Sequence, residues 1–300
     1  MKEFIHWPTN TDIQRLFHGR GHKYPGLEHL VVDWFAPVLQ ITLYDEIDDK
    51  ELLPLAEVLK SGVEAQGLEC EAVVVQFRYL PGSPRKWLHG DEIARLVGEE
   101  AGLQYHLELG ASQNAGLFLD MALGRGWVKA NSKHKRVLNL FSYTCGFSVA
   151  AIAGGADFVL NVDMARGALN RGRENHRLNQ QDLNKVKFES VDIFKSWGRL
   201  KKHGPYDLLI CDPPSFQKGS IDIKRDYAKI IKRVPQLMNS GGELILCLNA
   251  PELSEAFLHQ EVAQHCPECE FVERISTPDV FVDIDPDKAL KVLRFRYTGE

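Results

Sequence analysis

Short apolar runs alternate with longer amphipathic stretches from about Arg136 to the end of the chain. Runs rich in β-branched and aromatic residues predict strands, and apolar residues three or four positions apart predict helices packed on a sheet. The predicted strands are Arg136–Phe141, Phe158–Asp163, Val186–Ser190, Tyr206–Cys211, Glu243–Leu248, Glu270–Ile275 and Leu290–Tyr297. The predicted helices are Phe147–Gly154, Ala165–Asn179, Asp192–Lys202, Lys224–Met238 and Pro251–His265, with Gly241-Gly242 marking a break before the fifth strand. This order predicts an α/β fold with a seven-stranded, doubly wound, Rossmann-like sheet.

The first part of the chain has a different pattern. Two strand-like runs, Leu30–Asp45 and Glu69–Tyr79, flank one predicted helix at Glu51–Lys60. We therefore predict a smaller α+β domain over residues 1–100, suited to binding RNA or substrate, and a larger domain over residues 101–300. The larger domain includes a joining segment, residues 101–131, which ends in a predicted helix at Met121–Asn131.

Bulk composition narrows the class of protein. The 300 residues are 44% hydrophobic and carry a net charge of −5, which argues against nucleic-acid binding through the whole surface but permits local basic patches. The chain has no apolar run near the roughly 20 residues of a membrane span and no signal peptide at its start, so we expect a cytoplasmic protein without a membrane partner. Its six scattered cysteines are expected to be reduced.

An acidic and proline-rich motif follows the fourth predicted strand. Asp212-Pro213-Pro214-Ser215-Phe216 comes directly after the apolar run Tyr206–Cys211. Two prolines remove two backbone donors, which leaves carbonyl groups and the Asp212 carboxylate to accept hydrogen bonds from an amine, while Phe216 offers a face for stacking. The motif predicts a site for a planar, nitrogen-bearing ring, and the alternative is a purely structural turn.

Acidic residues also end the two preceding strands. Asp163 and Asp192 stand, with Asp212, at the ends of three successive strands, where an open α/β sheet places its ligand. The turn after the first strand contains only Gly146 and lacks the G-x-G-x-x-G pattern of a dinucleotide site, so NAD and FAD are disfavoured. This arrangement indicates S-adenosylmethionine. The alternative is that Asp163 and Asp192 are helix N-caps, a role that each can also combine with ligand binding.

Several motifs together resemble the class I methyltransferases of large-subunit ribosomal RNA. The similar segments are Asn139-Leu140-Phe141-Ser142-Tyr143-Thr144, Val162-Asp163-Met164, Arg177-Leu178-Asn179, Asp212-Pro213-Pro214-Ser215-Phe216, Gly116-Leu117-Phe118-Leu119-Asp120, Arg15–Leu27 and Val31–Tyr44. The resemblance implies ribosomal RNA as the partner and S-adenosyl-L-methionine as the cofactor. It implies a cofactor site lined by Phe118, Asp120, Phe141, Ser142, Tyr143, Gly146, Asp163, Met164, Asp192, Ile193 and Asp212.

The chain departs from this family in two respects. Many members begin with an RNA-binding domain of the PUA type, and the sequence leaves no room for one before Arg15. The cytosine-C5 branch has a nucleophilic cysteine where this chain has Asn249, and Cys247, two residues earlier, is the alternative nucleophile. The guanine-methylating branch has asparagine near this place. We therefore expect methylation of a base nitrogen, with a catalytic set made of Asp212, Pro213, Pro214, Phe216 and Asn249.

The remaining features concern RNA contacts, metal binding and oligomeric state. A basic group at Lys218, Lys224, Arg225 and Lys229 follows the proline motif and is expected to contact RNA phosphates. Cys266-Pro267-Glu268-Cys269 lacks a second cysteine pair, so no metal is expected. The sequence is compatible with a homodimer. A methyltransferase of small molecules or protein side chains, and a non-catalytic RNA-binding assembly factor, are the alternative functions.

Overall fold

The structure is a computed structural model that describes residues 2–110, 113–214 and 221–299. Contacts divide the chain into two units. Unit 1 comprises Met1–Asp120 and Pro278–Pro286, and unit 2 comprises Met121–Thr277 and Asp287–Glu300. Residues 101–120 of the predicted joining segment thus group with unit 1, while the domain boundary at residue 100 stays a prediction. None of the helices in the described ranges has the length and apolarity of a membrane span.

Unit 1 is built on a mixed sheet and one long helix. Its described elements are β1 (Gln14–His18), β2 (Leu30–Phe35), β3 (Val38–Leu43), α1 (Asp49–Glu64), β4 (Ala72–Phe77), β5 (Arg85–His89), β6 (Arg95–Glu100) and β7 (Leu103–Glu108). The sheet order is β1-β2-β3-β4-β5, with β3 and β4 parallel and the other pairs antiparallel, and β6 and β7 form a separate hairpin. Helix α1 buries Leu52, Ala56, Leu59 and Val63, which share one face at three- and four-residue spacing.

Unit 1 contains more strands than the pattern predicts. The run Leu30–Asp45 folds back at Ala36-Pro37 and forms the antiparallel pair β2 and β3. Both strands are buried along their whole length, so no alternation of polar residues marks the turn between them. Strands β5 and β6 are largely half-buried or exposed and carry charged residues, which explains why apolar runs did not reveal them.

Unit 2 repeats strand and helix in the predicted order. Its helices are α2 (Ala122–Asn131), α3 (Gly146–Ala153), α4 (Arg166–Leu178), α5 (Trp197–His203), α6 (Ile223–Ile231), α7 (Val234–Leu237) and α8 (Glu255–His265). Its strands are β8 (Arg136–Leu140), β9 (Phe158–Asp163), β10 (Val186–Ser190), β11 (Tyr206–Cys211), β12 (Met238–Leu248), β13 (Cys269–Ile275) and β14 (Lys291–Tyr297). The predicted α/β class with a seven-stranded sheet is confirmed.

The order of the sheet determines where a ligand can bind. The strands run β10-β9-β8-β11-β12-β14-β13, and the five from β10 to β12 are parallel. The chain order reverses between β8 and β11, and an open α/β sheet binds its ligand at the carboxyl ends of the strands beside such a reversal. The register brings these ends within two residues of one another. Leu140 at the end of β8 pairs with Cys211 at the end of β11, while β9 continues one residue past the partner of Leu140 and β12 two residues past the partner of Cys211.

Several boundaries in unit 2 differ from the prediction, and two of the differences have a clear cause. Strand β12 begins at Met238 and continues through Gly241-Gly242, so these glycines mark a register shift within the strand and not a break before it. The single helix predicted over Lys224–Met238 is divided into α6 and α7, and Pro235 lies in the first turn of α7. Proline lacks the N–H that would continue the preceding helix, which accounts for the division.

A buried chain of polar side chains joins β8, β9, α3 and α4. Asn139 Nδ2 donates to Asn161 Oδ1 (2.9 Å), Asn161 Nδ2 donates to Ser148 Oγ (2.9 Å), and Ser148 Oγ lies 2.9 Å from His176 Nε2. His176 Nδ1 contacts Gln181 Oε1. Because an amide oxygen can only accept a hydrogen bond, Nδ1 carries the proton and Nε2 is the acceptor. Burial lowers the pKa of His176 to about 4, although the bond to Gln181 acts in the opposite direction. The ring is therefore neutral near pH 7.

We expect the stability of unit 2 to depend on the protonation of His176. The folded pKa of about 4 lies below the ordinary value of 6.5, so the neutral ring stabilises the fold above pH 6.5, and this contribution is lost as the pH falls toward 4. The shift corresponds to roughly 3 kcal/mol. Hydrogen exchange of the β8 and β9 amides measures the free energy of unfolding of this region. The difference in this free energy between the wild type and His176→Gln should shrink as the pH falls. The exposed His134→Gln is the control, and a pH-independent difference for His176→Gln would contradict the assignment.

Candidate cofactor and substrate site

The loop after β8 has an unusual backbone. Phe141, Tyr143 and Cys145 adopt positive φ angles of 56°, 46° and 64°, a region that residues other than glycine seldom enter. Each such residue costs about 1–3 kcal/mol and persists only where the surroundings enforce it, most often at functional sites. The predicted cofactor residues Phe141, Ser142 and Tyr143 thus lie in a strained loop, and Gly146 begins α3 directly after it.

The carboxylate of Asp163 holds this loop in place. Asp163 ends β9, and its Oδ2 accepts a hydrogen bond from the Tyr143 N–H while its Oδ1 accepts one from the Ala165 N–H, each at 2.8 Å. The Ser142 N–H donates to the Val162 carbonyl at 3.1 Å. The N-cap of α4 is Ala165, so the alternative prediction that Asp163 is a helix N-cap is wrong. The Asp163 carboxylate instead connects the turns after β8 and β9 at the carboxyl edge of the sheet.

Helix α4 packs directly on the loop. Gly172 lies so close to it that an added Cβ would overlap the Cys145 side chain and contact the Thr144 carbonyl carbon. On the next turn of α4, the buried Asn175 donates from Nδ2 to the Thr144 carbonyl oxygen at 3.0 Å. The small residue at position 172 is thus required by packing, because a larger one would displace the loop.

The groups around the loop suit a polar ligand. Within the described part of the chain, the Ser142 Oγ is buried next to the Cys145 thiol and has no nitrogen or oxygen partner, so a ligand could supply one. Burial raises the pKa of the Tyr143 hydroxyl, an effect that Arg171 opposes and Asp163 reinforces, so the phenol stays protonated and can donate. Met164 is 55% exposed beside Asp163 and offers an apolar surface next to these polar groups. These residues fit an uncharged ring with attached hydroxyl groups.

Asp192 follows β10 and also caps a short helical turn. Its Oδ1 accepts from the Phe194 N–H at 2.9 Å, and its Oδ2 lies 3.3 Å from Lys195 Nζ. Ile193 is buried next to it. The structure thus places Asp192 and Ile193 after the third strand, as predicted, and shows that the carboxylate already has a local structural role.

Strands β11 and β12 carry the predicted substrate residues at their carboxyl ends. Asp212 is half-buried and Pro213 is buried after β11, while Asn249 is exposed directly after β12. The hydroxyl of the fully buried Tyr227 donates to the Cys247 carbonyl at 2.9 Å and lies 3.4 Å from the Cys211 carbonyl. Tyr227 therefore links the ends of β11 and β12. The two carbonyl groups that it contacts lie one residue before Asp212 and two residues before Asn249, the residues predicted to bind the base.

A buried lysine supports the segment after Asn249. Lys291 on β14 is fully buried, and its Nζ donates to the carbonyl oxygens of Ala250 (3.2 Å) and Leu253 (2.7 Å). The alternative nucleophile, Cys247, has a fully buried side chain within β12, whereas Asn249 is exposed. This contrast favours Asn249 over Cys247 as a group that meets a substrate.

The remaining predicted site residues belong to unit 1, to the proline motif or to α6. Phe118 and Asp120 belong to unit 1, where Asp120 and Asp33 together raise the pKa of Arg15 against the effect of its burial. Their roles, like those of the other site residues, stay predictions. Pro214 is half-buried, and Phe216 and Lys218 fall outside the described residues. Arg225 and Lys229 both form ion pairs with the buried Asp226, at 2.9 Å and 2.8 Å.

A family model of S-adenosylmethionine-dependent methyltransferases matches residues 14–296. The chain belongs to this family. The match spans both units, so the predicted cofactor, S-adenosylmethionine, and the resemblance to methyltransferases are confirmed.

Relatives agree with this assignment. The chain is 32% identical over 233 residues to a ribosomal RNA large subunit methyltransferase K/L from a Shewanella species, covering 74% of this chain and 32% of that protein. It is 35% identical over 173 residues to a ribosomal RNA large subunit methyltransferase I from Salmonella paratyphi B, covering 56% and 43%. The chain thus spans less than half the length of either relative.

The fold is also shared with a solved structure. A candidate S-adenosylmethionine-dependent methyltransferase from Streptococcus mutans has a TM-score of 0.82 at 23% identity, covering 96% of this chain and 76% of that chain. At this identity the likeness establishes the fold alone.

Sequence reasoning missed three residues that position the site. Lys291 stands among apolar residues and Tyr227 lies between Asp226 and Ala228, so the two resemble ordinary strand and helix residues. Their roles depend on carbonyl groups distant along the chain, as Lys291 reaches Ala250 and Tyr227 reaches Cys247. Gly172 offered a usable signal, because glycine within a predicted helix costs about 1 kcal/mol and often marks a close approach.

We expect Gly172→Ala to weaken cofactor binding, because its methyl group would push Cys145 and Thr144 out of position. Gly167→Ala on the same helix is the matched control, since an added Cβ there meets no atom within 4 Å. Titration calorimetry with S-adenosylmethionine should give an affinity about tenfold lower for Gly172→Ala, or roughly 1.4 kcal/mol, and an unchanged affinity for Gly167→Ala. Equal affinities in two folded variants would show that α4 does not constrain the loop.

Proposed function

We propose that this methyltransferase modifies a nitrogen of a base in ribosomal RNA, with guanine favoured. The observation that carries the proposal is that three neighbouring parallel strands end at one edge of the sheet. The loop Phe141–Gly146 follows β8 and the motif beginning at Asp212 follows β11, and the last residues of these two strands pair with each other. Asn249 follows β12, which extends two residues past the partner of Cys211. A methyl donor and a planar acceptor bound at this edge would therefore be adjacent.

The residues after β8, β9 and β10 are proposed to hold the cofactor. Ser142 and Tyr143 supply hydroxyl groups, and Asp163 and Asp192 supply carboxylate oxygens that can accept from ribose hydroxyls or an amino group. Each Asp163 oxygen has a second lone pair beyond the one used by a backbone N–H. The family's cofactor provides a methyl group on a cationic sulfur, which is already activated toward a nitrogen lone pair.

The residues after β11 and β12 are proposed to orient the base. Pro213 and Pro214 present no backbone N–H groups, so this turn offers carbonyl oxygens and the Asp212 carboxylate as acceptors. These groups match the amino and ring N–H donors of guanine, Asn249 can add a hydrogen bond, and Phe216 is proposed to stack on the ring. Because the methyl group is already activated, holding the nitrogen close and in line supplies most of the catalysis.

Two further observations support ribosomal RNA as the substrate and a nitrogen as the methyl acceptor. The two relatives described above, each more than 30% identical to this chain, are named as methyltransferases of the large ribosomal subunit RNA. In addition, an asparagine occupies the position of the nucleophilic cysteine that cytosine-C5 methylation requires, and the nearest cysteine is fully buried. Methylation at nitrogen needs no covalent intermediate with the protein.

We expect the purified protein to transfer labelled methyl from S-adenosylmethionine to ribosomal RNA from cells that lack it. Total RNA, ribosomal subunits, protein and small-molecule fractions are offered separately, and RNA nucleosides are identified by mass spectrometry. Label in a methylguanosine is the expected result, and Asp212→Asn and Asn249→Ala should each reduce it about tenfold or more.

Each other outcome points to a different function. Label in 5-methylcytidine would contradict the argument from Asn249. Label only in small molecules or protein would identify the alternative substrate classes. Measurable affinity for S-adenosylmethionine without transfer to any fraction would favour a non-catalytic RNA-binding assembly factor.

We expect Tyr227→Phe to slow methyl transfer without changing cofactor affinity, because the strand ends that carry Asp212 and Asn249 lose their shared donor. A small displacement of reacting groups can reduce the rate by about a hundredfold. Tyr206→Phe is the matched control, since Tyr206 is equally buried and donates to the Leu200 carbonyl (2.7 Å) at the amino end of β11.

Both tyrosine variants should lose roughly 1–3 kcal/mol of unfolding free energy in urea denaturation. Only Tyr227→Phe should have a lower methyl-transfer rate in single-turnover assays. Equal rates for the two variants would refute the positioning role of Tyr227.

A further inference from the structure

A tight turn brings two cysteine side chains of unit 2 into contact. Cys266 directly follows α8 and Cys269 begins β13, with Pro267 and Glu268 between them. The Cys269 N–H donates to the Cys266 carbonyl at 3.0 Å, which closes a four-residue turn. Proline is favoured at the second position of such turns because its φ angle is already correct. The two sulfur atoms lie 3.5 Å apart, with the Cys269 thiol donating to Cys266.

The turn has dimensions that a disulfide requires. The outer Cα atoms of a β-turn lie less than about 7 Å apart, and disulfides bridge Cα atoms up to about 6.8 Å apart. The bond can therefore form without a large displacement of the end of α8 or the start of β13. Both side chains are buried, with 1% exposure for Cys266 and 7% for Cys269, so a small oxidant has better access than a large one.

Cys266 differs from Cys269 and from three other buried cysteines in its ionisation, because the hydrogen bond to Cys266 and burial raise the pKa of Cys269 well above the usual range. The hydrogen bond from Cys269 lowers the pKa of Cys266, against the effect of its burial. Burial raises the pKa of Cys70 to about 11 and raises the pKa of Cys145 and of Cys211 well above the usual range. Because the thiolate is the nucleophilic form, these differences favour Cys266 as the first thiol to react.

A metal site is a weaker explanation of the same pair. A structural zinc ion needs four ligands, and this turn supplies two sulfur atoms. The neighbouring His265 is engaged with Glu261, with Nε2 3.5 Å from the carboxylate. In the described ranges, no group of three or more His, Cys, Asp and Glu side chains is placed to hold a metal ion.

We propose that Cys266 and Cys269 form a reversible dithiol–disulfide pair that is oxidised by peroxide. The Cys266 thiolate attacks one peroxide oxygen, the O–O bond breaks, and hydroxide leaves while a sulfenic acid remains on Cys266. The Cys269 sulfur then displaces that oxygen as water and forms the S–S bond. Overall, the two thiols lose two electrons and two protons, and one hydrogen peroxide becomes two waters. This modification site is independent of the proposed RNA substrate.

The test is thiol mapping of the folded full chain after exposure to hydrogen peroxide. Remaining thiols are blocked with N-ethylmaleimide in denaturant, and peptides are analysed by mass spectrometry. We expect two of the six cysteines to escape blocking, in one peptide that has lost two hydrogens and joins Cys266 to Cys269. Dithiothreitol should restore both thiols.

Variants distinguish the order of the two steps. Cys269→Ser should leave a sulfenic acid on Cys266 that dimedone traps, whereas Cys266→Ser should yield neither this adduct nor the disulfide. Cys70→Ser is the matched control with a buried cysteine in unit 1, and it should form the disulfide like the wild type. Circular dichroism confirms that each variant is folded.

Three results would overturn the proposal. They are a disulfide between other cysteines, equal oxidation of all six, and irreversible oxidation of Cys266 in the wild type. A fourth comparison isolates the folded turn, because the disulfide should form faster in the native chain than in urea. Equal rates in the two conditions would show that sequence proximity alone, and not the folded turn, brings the sulfur atoms together.

Discussion

The candidate site depends on a single carboxylate. Asp163 accepts one hydrogen bond from the turn after β8 and one from the turn after β9, at 2.8 Å each. Asp163 thereby helps to hold three residues at positive φ in a conformation that costs each of them free energy. Hydrogen bonds to a charged acceptor are worth about 1.5–3 kcal/mol, comparable with that cost. The acid thus shapes the loop before any ligand arrives.

The packing of α4 against the loop after β8 also restricts the loop to this conformation. Cys145 occupies the space above Gly172, and Asn175 binds the Thr144 carbonyl from the next turn of α4. On the same buried face of the helix, His176 continues the polar chain from Asn139 through Ser148. Helix α4 is therefore fixed by directional bonds on its buried face, and its position carries over to the loop.

The sequence predicted the architecture of unit 2 well because its strands and helices have strong periodicity. The ends of β9, β10 and β11 agree with the prediction to the residue, and this accuracy put Asp163, Asp192 and Asp212 in their correct places. The division at Pro235 and the strand residues before Gly241 were missed, since pairing partners far along the chain decide them. In unit 1, the fully buried pair β2 and β3 lacks the alternation by which a pattern separates two strands.

The ion pairs of α6 alter the way this helix would meet a polyanion. Arg225 and Lys229 converge on the buried Asp226, whose own pKa is held well below its usual range chiefly by the bond from Arg225. A cation already neutralised by a carboxylate attracts few counterions, so a phosphate that contacts it releases few into solution. Because counterion release sets the dependence of binding on salt, these two side chains would contribute less to that dependence than their formal charges indicate. The contacts of Arg225 and Lys229 with a polyanion would thus depend more on the fit between the groups than on long-range electrostatic attraction.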